Sequence, residues 1–418
     1  MNLIRTSFFS AIITIIRISS GFIANKVVAV FAGAPGVAIV GAFANFISIV
    51  LTFSNGAINT GVVKYTAEFE DDEAELKTLF STALKITLFC SVLTGISLIV
   101  LAPYWSSWIF AQQIYEGPIR ILGFTVVFYA LNTLLISILN GKKQISTYTI
   151  VNTLGSIIGL VFTVALVYFY EIQGALYAMV LAQSIVFFIT AGLLIKSPWF
   201  SWEYFNKIFD KSKATKLSHY SLMAIVSALT LPVSQILFRN ILITKFGIDQ
   251  AGYWQGMMRI SDAYLMIITT SLSTYFLPKL SSIKTDSGLR SEIMKGFKLI
   301  VPFLLLSCLG IYFFRFILIK LLFTSDFIAM GQLFYWQLIG DFFKMTSWIL
   351  AYLMLAKAMT KMYIFSEIVF SFGYVGLGYL FVEKFQLEGA VMSFAMTYFF
   401  YFLFMLFVFK KLLFNKSQ

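Results

Sequence analysis

Long apolar runs recur along the whole chain, and they constrain its fold more strongly than any other feature of the sequence. A transmembrane helix needs about 20 mostly apolar residues. A membrane barrel would instead show alternating segments of about 10 residues, which we do not find. We therefore predict an all-α membrane protein with twelve transmembrane helices. The predicted spans lie near residues 7–31, 37–62, 80–102, 118–139, 147–170, 175–196, 217–244, 251–277, 297–320, 331–356, 362–382 and 388–409.

The composition agrees with this prediction. Of the 418 residues, 59% are hydrophobic and 12% are charged, whereas an ordinary soluble domain has about 25% charged residues. These proportions argue against a soluble enzyme, a disordered chain, a secreted disulfide scaffold and a nucleic-acid-binding domain. The two cysteines, Cys90 and Cys308, lie in apolar runs and are not spaced like a metal or redox motif. We expect no metal and no cofactor.

The basic residues between the predicted spans predict the orientation in the membrane. Nineteen of them fall on the side that carries both termini, and only Lys245 and Lys384 fall on the other side. Because cytoplasmic loops are enriched in Lys and Arg, both termini are predicted to be cytoplasmic. This asymmetry accounts for most of the net charge of +12 without a nucleic-acid partner.

The widest cytoplasmic connection divides the chain into two halves of six spans. We predict an N-terminal bundle over residues 1–196, an amphipathic cytoplasmic linker over 197–216 and a C-terminal bundle over 217–418. A shift of 215 residues superimposes the two hydropathy layouts, although few identities accompany it, which suggests an internal repeat. The matching pairs are Ser19 with Ser234, Asn25 with Asn240, Phe31 with Phe246, Gly41 with Gly256 and Lys64 with Lys279.

Polar residues recur at helical spacing within the first two spans. Each set lies on one face of a helix, and this pattern is compatible either with helix contacts through small polar groups or with a hydrated cavity. The four asparagines and one arginine favour the cavity. The first set is Ser10, Thr14, Arg17, Gly21 and Asn25, and the second is Asn45, Ser48, Thr52, Asn55 and Asn59.

Charged residues inside the spans include more bases than acids. Arg259 and Asp262 are three residues apart on one span, and Asp341 and Lys344 repeat this spacing on another. They either form two structural ion pairs or line a pathway. An excess of fixed positive charge favours an anionic solute, since arginine binds phosphate bidentately. The acids Asp262, Asp341 and Glu367 could carry a proton or a sodium ion.

Catalytic motifs are lacking. We find no nucleotide-binding loop, zinc-ligand spacing, Ser/His/Asp arrangement or dinucleotide fingerprint. The longest outer connection has about 15 residues, between Pro103 and Gly117, and leaves no room for an extramembrane catalytic domain. We therefore expect that the protein is not an enzyme, and a membrane glycan polymerase or ligase is the less favoured alternative.

Four stretches carry a family resemblance. These are residues 61–69, 217–239, 252–283 and 333–358, in which WQG, SDAYL and WQLIGD are the most specific runs. They resemble the Wzx-type flippases of the multidrug/oligosaccharidyl-lipid/polysaccharide exporter superfamily, and most of all the branch that serves enterobacterial common antigen. Arg259, Asp262, Asp341, Lys344 and Lys64 fall in the matching motifs.

The resemblance implies two six-helix bundles in a V around a central cavity, in the bacterial inner membrane. It implies an antiporter-like flippase, driven by protons or sodium. The cargo would be an undecaprenyl-pyrophosphate-linked glycan, either an O-antigen unit of lipopolysaccharide or a common-antigen unit. Membrane lipids, a glycan polymerase and a chain-length regulator are the expected partners. The alternative within the superfamily is a multidrug or cation exporter.

On this interpretation the site residues fall into two groups. The expected substrate-binding residues, which hold the pyrophosphate and the sugars, are Arg17, Asn45, Asn55, Asn59, Lys64, Arg239, Arg259 and Lys344. The expected ion-coupling residues are Asp262, Asp341 and Glu367. No catalytic residue is expected.

Overall fold

The computed structural model describes residues 3–197, 199–357 and 359–414, and within these ranges the secondary structure is helical. The α-helices are α1 (Leu3–Ser54), α2 (Asn59–Glu68), α3 (Glu73–Val100), α4 (Ala102–Phe110), α5 (Glu116–Gly141), α6 (Ile145–Ile195), α7 (Lys211–Phe246), α8 (Ile248–Ser271), α9 (Leu277–Ser282), α10 (Asp286–Leu322), α11 (Phe334–Ala356), α12 (Thr360–Val408) and α13 (Lys410–Phe414). Short 3₁₀ segments cover Trp202–Phe205 and Ser325–Leu333. A π-helical turn, Leu272–Phe276, joins α8 to α9.

The chain is a multi-pass membrane protein. Eight of the described helical stretches are long and apolar enough to cross a bilayer. In three of the eight, one residue has non-helical backbone angles: Gly33 in α1, Glu171 in α6 and Gln386 in α12. Each of these residues lies between two spans that we predicted to be separate. The polar helix α8 is not among the eight. The all-helical membrane fold is confirmed, and the count of twelve spans stays a prediction.

Two of these breaks reverse the direction of the chain. A Cβ atom built on Gly174 or on Gly389 would overlap the carbonyl oxygen of the residue eight positions earlier. Eight residues of continuous helix span about 12 Å, so such an overlap requires a tight helical hairpin at Glu171 and at Gln386. Glycine is needed at both positions because no side chain fits between the two arms.

The two hairpins are spaced by the predicted repeat. Glu171 has φ 48° and ψ −123°, and Gln386 has φ 53° and ψ −138°. The two residues are 215 positions apart, and so are Gly174 and Gly389. This spacing equals the shift that superimposes the two hydropathy layouts, so the two halves share the same local geometry as well as the same pattern of apolar runs.

The chain divides into two compact units. The first comprises Met1–Ala32 and Ile39–Pro232, and the second comprises Gly33–Ala38 and Val233–Gln418. The sequence placed the division at residue 217, whereas the structure places it inside α7 at Pro232. A proline removes one helical hydrogen bond and is a common point of bending. Six residues at the break in α1 belong to the second unit.

The predicted linker packs on the first unit. Tyr204 contacts the ring of Phe80 on α3, with 5.7 Å between centroids, and Trp199 lies 5.9 Å from Tyr204. Ser81 Oγ donates to the Tyr204 carbonyl at 3.1 Å and accepts from the Lys207 amide at 2.8 Å. The exposed side of the segment carries Trp202 and Ile208, as an amphipathic segment does.

The second unit has its own apolar core. One cluster brings together α8, α10, α11 and α12 through buried side chains such as Leu265, Ile293, Ile349 and Met405. Close packing of this kind leaves few positions for polar groups, so each polar side chain buried here needs a partner.

Candidate functional site

A buried carboxylate in the second unit is the most elaborately hydrogen-bonded of the predicted site residues. Asp341 on α11 is fully buried and accepts hydrogen bonds from Ser261 Oγ at 2.6 Å, Tyr264 OH at 2.7 Å and Gln337 Nε2 at 3.1 Å. Ser261 and Tyr264 lie one turn apart on α8, so the contact joins two helices. All three donors are neutral, and neutral donors stabilise a buried carboxylate without cancelling its charge.

The second charged residue of α11 lies among aromatic rings. The Nζ atom of Lys344 is 5.4 Å from the ring centroid of Trp348, 5.7 Å from that of Phe394 and 5.6 Å from that of Tyr398. A buried ammonium is stabilised by the negative faces of such rings. In the described part of the chain, Lys344 makes no direct ion pair with Asp341.

The remaining predicted charges of the second unit are more accessible. Arg259 is half-buried on α8, and Asp262, one turn later, is exposed. Glu367 is half-buried on α12. Within the described ranges, Arg259 and Asp262 also form no direct ion pair. The interpretation of these residues as two structural ion pairs therefore does not describe their contacts.

Arg239 holds the backbone of the α1 break in the second unit. Its side chain is fully buried, Nη1 donates to the carbonyl of Ala38 at 3.4 Å, and Nη2 donates to Asn240 Oδ1 at 2.8 Å. A guanidinium with five donors can hold several acceptors at once. These contacts give Arg239 a structural role that its sequence position did not suggest.

The polar stripe of the second predicted span lies on the accessible side of α1. Asn45 and Thr52 are half-buried and Ser48 is exposed, whereas the apolar residues between them, such as Phe46 and Val50, are buried. Arg17, earlier on α1, is exposed. Asn45, Ser48 and Thr52 are therefore not fully enclosed by helix packing within the first unit.

The last two asparagines of the stripe flank the break between α1 and α2. Asn55 Oδ1 accepts from the backbone amide of Ala57 at 3.0 Å, and Gly56 and Ala57 have positive φ values of 64° and 56°. Asn55 thus stabilises the turn. Asn59, the first residue of α2, has a buried Oδ1 without a hydrogen-bond partner among the described atoms.

Lys64 lies on the exposed side of α2. Its Nζ is 3.9 Å from Glu68 Oε2 and 4.8 Å from the ring centroid of Tyr65, which stacks on Phe69. Exposed pairs of this kind stabilise a helix only weakly.

The sequence did not single out Ser261, Tyr264 or Gln337. Gln337 precedes Asp341 by one helical turn, and this spacing could have identified it. Ser261 and Tyr264 flank Asp262 on a different helix. Their contact with Asp341 depends on how α8 and α11 pack, which no local pattern shows.

An apolar cleft between α10 and α11 reaches this cluster. Its volume is about 460 Å³, and Cys308 on its wall lies with Sγ 3.8 Å from Tyr264 OH. Apolar side chains such as Leu305 and Phe342 form most of the lining. The described residues include no group of three or more His, Cys, Asp or Glu side chains that could hold a metal ion.

Comparisons with known proteins agree with this description. A family profile described as "Polysaccharide biosynthesis protein" matches residues 36–332. The "Lipid III flippase" of Escherichia coli (strain K12) is 30% identical over 368 residues, which is 88% of each chain. A multidrug resistance MATE family transporter of the MOP superfamily, solved in an inward-facing conformation, superimposes with a TM-score of 0.80 at 15% identity, covering 96% of this chain and 98% of that one. The lipid II flippase MurJ, inward closed, gives a TM-score of 0.74 at 18% identity, covering 97% and 87%. The last two likenesses show the fold.

Proposed function

The chain belongs to the polysaccharide biosynthesis protein family, and from this premise we propose that it is a flippase for an undecaprenyl-pyrophosphate-linked oligosaccharide. It moves this lipid from the cytoplasmic to the periplasmic leaflet of the inner membrane, with both of its own termini in the cytoplasm. The cargo is an O-antigen or enterobacterial common-antigen unit. The observation that carries the proposal is the 30% identity to a lipid III flippase over 88% of both chains.

Accessible polar and basic groups would bind the head group of the lipid. Arg17, Lys64 and Arg259 present partly or fully exposed positive charge, which suits a pyrophosphate. Asn45 and Asn59 offer amide groups to sugar hydroxyls. Lys344 and Arg239 are buried. Lys344 and Arg239 would contact the head group only in a conformation that exposes them. Asn55 would contact it only after releasing the turn between α1 and α2 that it stabilises.

Asp341 would couple transport to an ion. Its carboxylate is buried close to two groups on the same helix. One is Gln337, whose Oε1 has no hydrogen-bond partner among the described residues, and the other is the positively charged Lys344. Adding a proton or sodium ion there changes the net charge of a low-dielectric site, and such a change shifts a conformational equilibrium. Asp262 and Glu367 are alternative carriers for the ion.

A null strain complemented with the gene tests the function. Loss of the protein should accumulate undecaprenyl-linked single units inside the cell and remove the glycan from the surface, and the wild-type gene should restore it. A polymerase mutant would instead still display single units. Unchanged surface glycan in the null strain would contradict the proposal.

The multidrug or cation exporter remains the second hypothesis, on the likeness in fold to a multidrug transporter. At 15% identity this likeness extends to the fold alone. Drug susceptibility of the null strain separates the two functions, since an exporter mutant becomes sensitive to cationic drugs while its surface glycan is unchanged.

A further inference from the structure

A polar pocket lies in the second unit, apart from the Asp341 cluster. Its volume is about 350 Å³. It is bounded by the end of α7, the start of α8, the Ser325–Leu333 segment and the hairpin of α12. The side chains that matter here are Phe246, Gln250, Gln332, Phe385, Gln386 and Glu388.

The polar side chains of this pocket are not used by the fold. Gln250, Gln332, Gln386 and Glu388 make no side-chain hydrogen bond or ion pair with any described residue. Gln250 and Glu388 are half-buried rather than fully solvated. Three amides and one carboxylate that converge on a concave surface without internal partners form a preformed set of donors and acceptors.

The backbone of the pocket carries strain. Gln386 has φ 53° and ψ −138°, a combination that non-glycine residues rarely adopt and that recurs at ligand-binding sites. Glu171, in the hairpin of α6, has similar backbone angles. The strained backbone is therefore a feature of both hairpins and is not by itself evidence of a ligand.

The polar lining is repeated only in part, because Gln386 and Glu388 correspond to Glu171 and Gln173, which are also polar. At the shift of 215 residues, the first half has Pro35 in place of Gln250 and Gly117 in place of Gln332. The hairpin therefore forms without these two amides, which are particular to the second half.

The chemistry of the lining selects a neutral saccharide. Amide and carboxylate groups form paired hydrogen bonds with sugar hydroxyls, and the rings of Phe246 and Phe385 offer apolar faces to the C–H side of a sugar. The lining contains no basic residue, which disfavours a phosphate. A single carboxylate is too few for a calcium site.

We propose that this pocket binds a neutral sugar residue of the transported glycan on the periplasmic side of the membrane. The proposal rests on the proposed function and on the predicted orientation, which places Lys245 and Lys384, the chain neighbours of Phe246 and Phe385, outside the cytoplasm. The pocket would hold the saccharide after the pyrophosphate has left the basic residues, so the head group and the sugar would be recognised by different residues.

Binding of a water-soluble glycan tests the proposal. The probe is the oligosaccharide that mild acid releases from the lipid-linked glycan of the host membranes, titrated calorimetrically against the purified full-length protein. A variant with Gln250→Ala and Gln332→Ala should bind it roughly tenfold more weakly or worse, because two or more hydrogen bonds are lost. The matched control carries Gln112→Ala and Gln113→Ala, two exposed glutamines of the first unit on the same predicted side. It should bind like the wild type.

Each remaining outcome has one meaning. Equal affinity of the wild type and the pocket variant would overturn the assignment. The assignment would also be overturned if a wild-type protein that restores the surface glycan did not bind the oligosaccharide. That result would leave the proposed function intact. Failure of the wild type to restore the glycan would count against the function itself. If the double variant does not fold, Gln332→Ala alone carries the test, since this side chain is exposed.

Discussion

At the scale of single residues, burial separates the charged groups into different roles. Asp341 is fully buried and receives three hydrogen bonds from neutral donors, whereas Asp262 on the neighbouring helix is exposed. Arg239 is fully buried against a backbone carbonyl, whereas Arg259 is only half-buried. Because isolated buried charge is costly, the buried members must be held by specific partners, and the accessible ones are free to meet a ligand.

The substitution Asp341→Asn tests the coupling role. Asparagine keeps the size and one acceptor oxygen of the side chain but cannot bind or release a proton. We expect the variant to fold, to lose most of the flux of lipid-linked glycan and to lose the dependence of that flux on the pH gradient, as measured with everted membrane vesicles.

The control for this substitution is Ser261→Ala. It removes one hydrogen bond to Asp341, worth about 1 kcal/mol, and leaves the carboxylate in place. This variant should retain transport. Wild-type flux and wild-type pH dependence in the Asp341→Asn protein would show that Asp341 does not couple transport to an ion.

At the scale of helices, the hairpins of α6 and α12 and the docked linker depend on local features. The hairpins combine a strained residue, Glu171 or Gln386, with a glycine three residues later that allows the two arms to touch. The linker depends on aromatic packing around Tyr204 and on hydrogen bonds to Ser81.

The substitution Gly389→Ala should destabilise the second unit. The added methyl group would overlap the carbonyl oxygen of Phe381, and overpacking of this kind costs about 1–3 kcal/mol. The control is Gly373→Ala on the same helix, where an added Cβ meets no atom within 4 Å. Thermal unfolding in detergent should show a lower midpoint for Gly389→Ala only, and equal midpoints would argue against the tight hairpin.

Two exposed carboxylates of the first unit should make stability depend on pH. A hydrogen bond from Lys77, together with its positive charge, lowers the pKa of Glu203. Lys143 lowers the pKa of Glu70 in the same two ways. A carboxyl whose pKa is lower in the folded state stabilises the fold above its unfolded pKa, and this contribution disappears as the pH falls through the folded pKa.

The double variant Glu70→Gln, Glu203→Gln measures this contribution. At neutral pH the wild type should unfold at a slightly higher temperature than the variant, and the difference should shrink as the pH falls below the usual range of glutamate. The difference stays small because both pairs are exposed and screened by solvent. A difference that does not change with pH would exclude this role for the two ion pairs.

At the scale of the whole molecule, the distribution of basic residues and the internal repeat are the dominant features. The two hairpins at the shift of 215 residues show that each unit was built on the same local plan. The two halves of the sequence differ in polar content, because Gln250 and Gln332 correspond to Pro35 and Gly117 at this shift.

Cysteine labelling in intact cells tests the predicted orientation. In a background with Cys90→Ala and Cys308→Ala, the substitution Lys384→Cys should react with a membrane-impermeant maleimide added outside the inner membrane, because this residue is exposed and predicted to be periplasmic. The matched substitution Lys207→Cys, also exposed, should react only after the cells are permeabilised. The reverse pattern would invert the topology.

The sequence by itself determined the all-helical membrane fold and the repeat distance, because these depend on local hydrophobicity and helical spacing. It also supported the family, which the comparisons confirmed. Only the tertiary structure decided that α7 divides at Pro232, that Arg239 holds a carbonyl near the break in α1, and that Ser261 and Tyr264 hold Asp341. The last contact joins residues 77 or more positions apart. Such contacts depend on the packing of whole helices, and no periodicity within a single segment specifies which faces of two distant helices will meet.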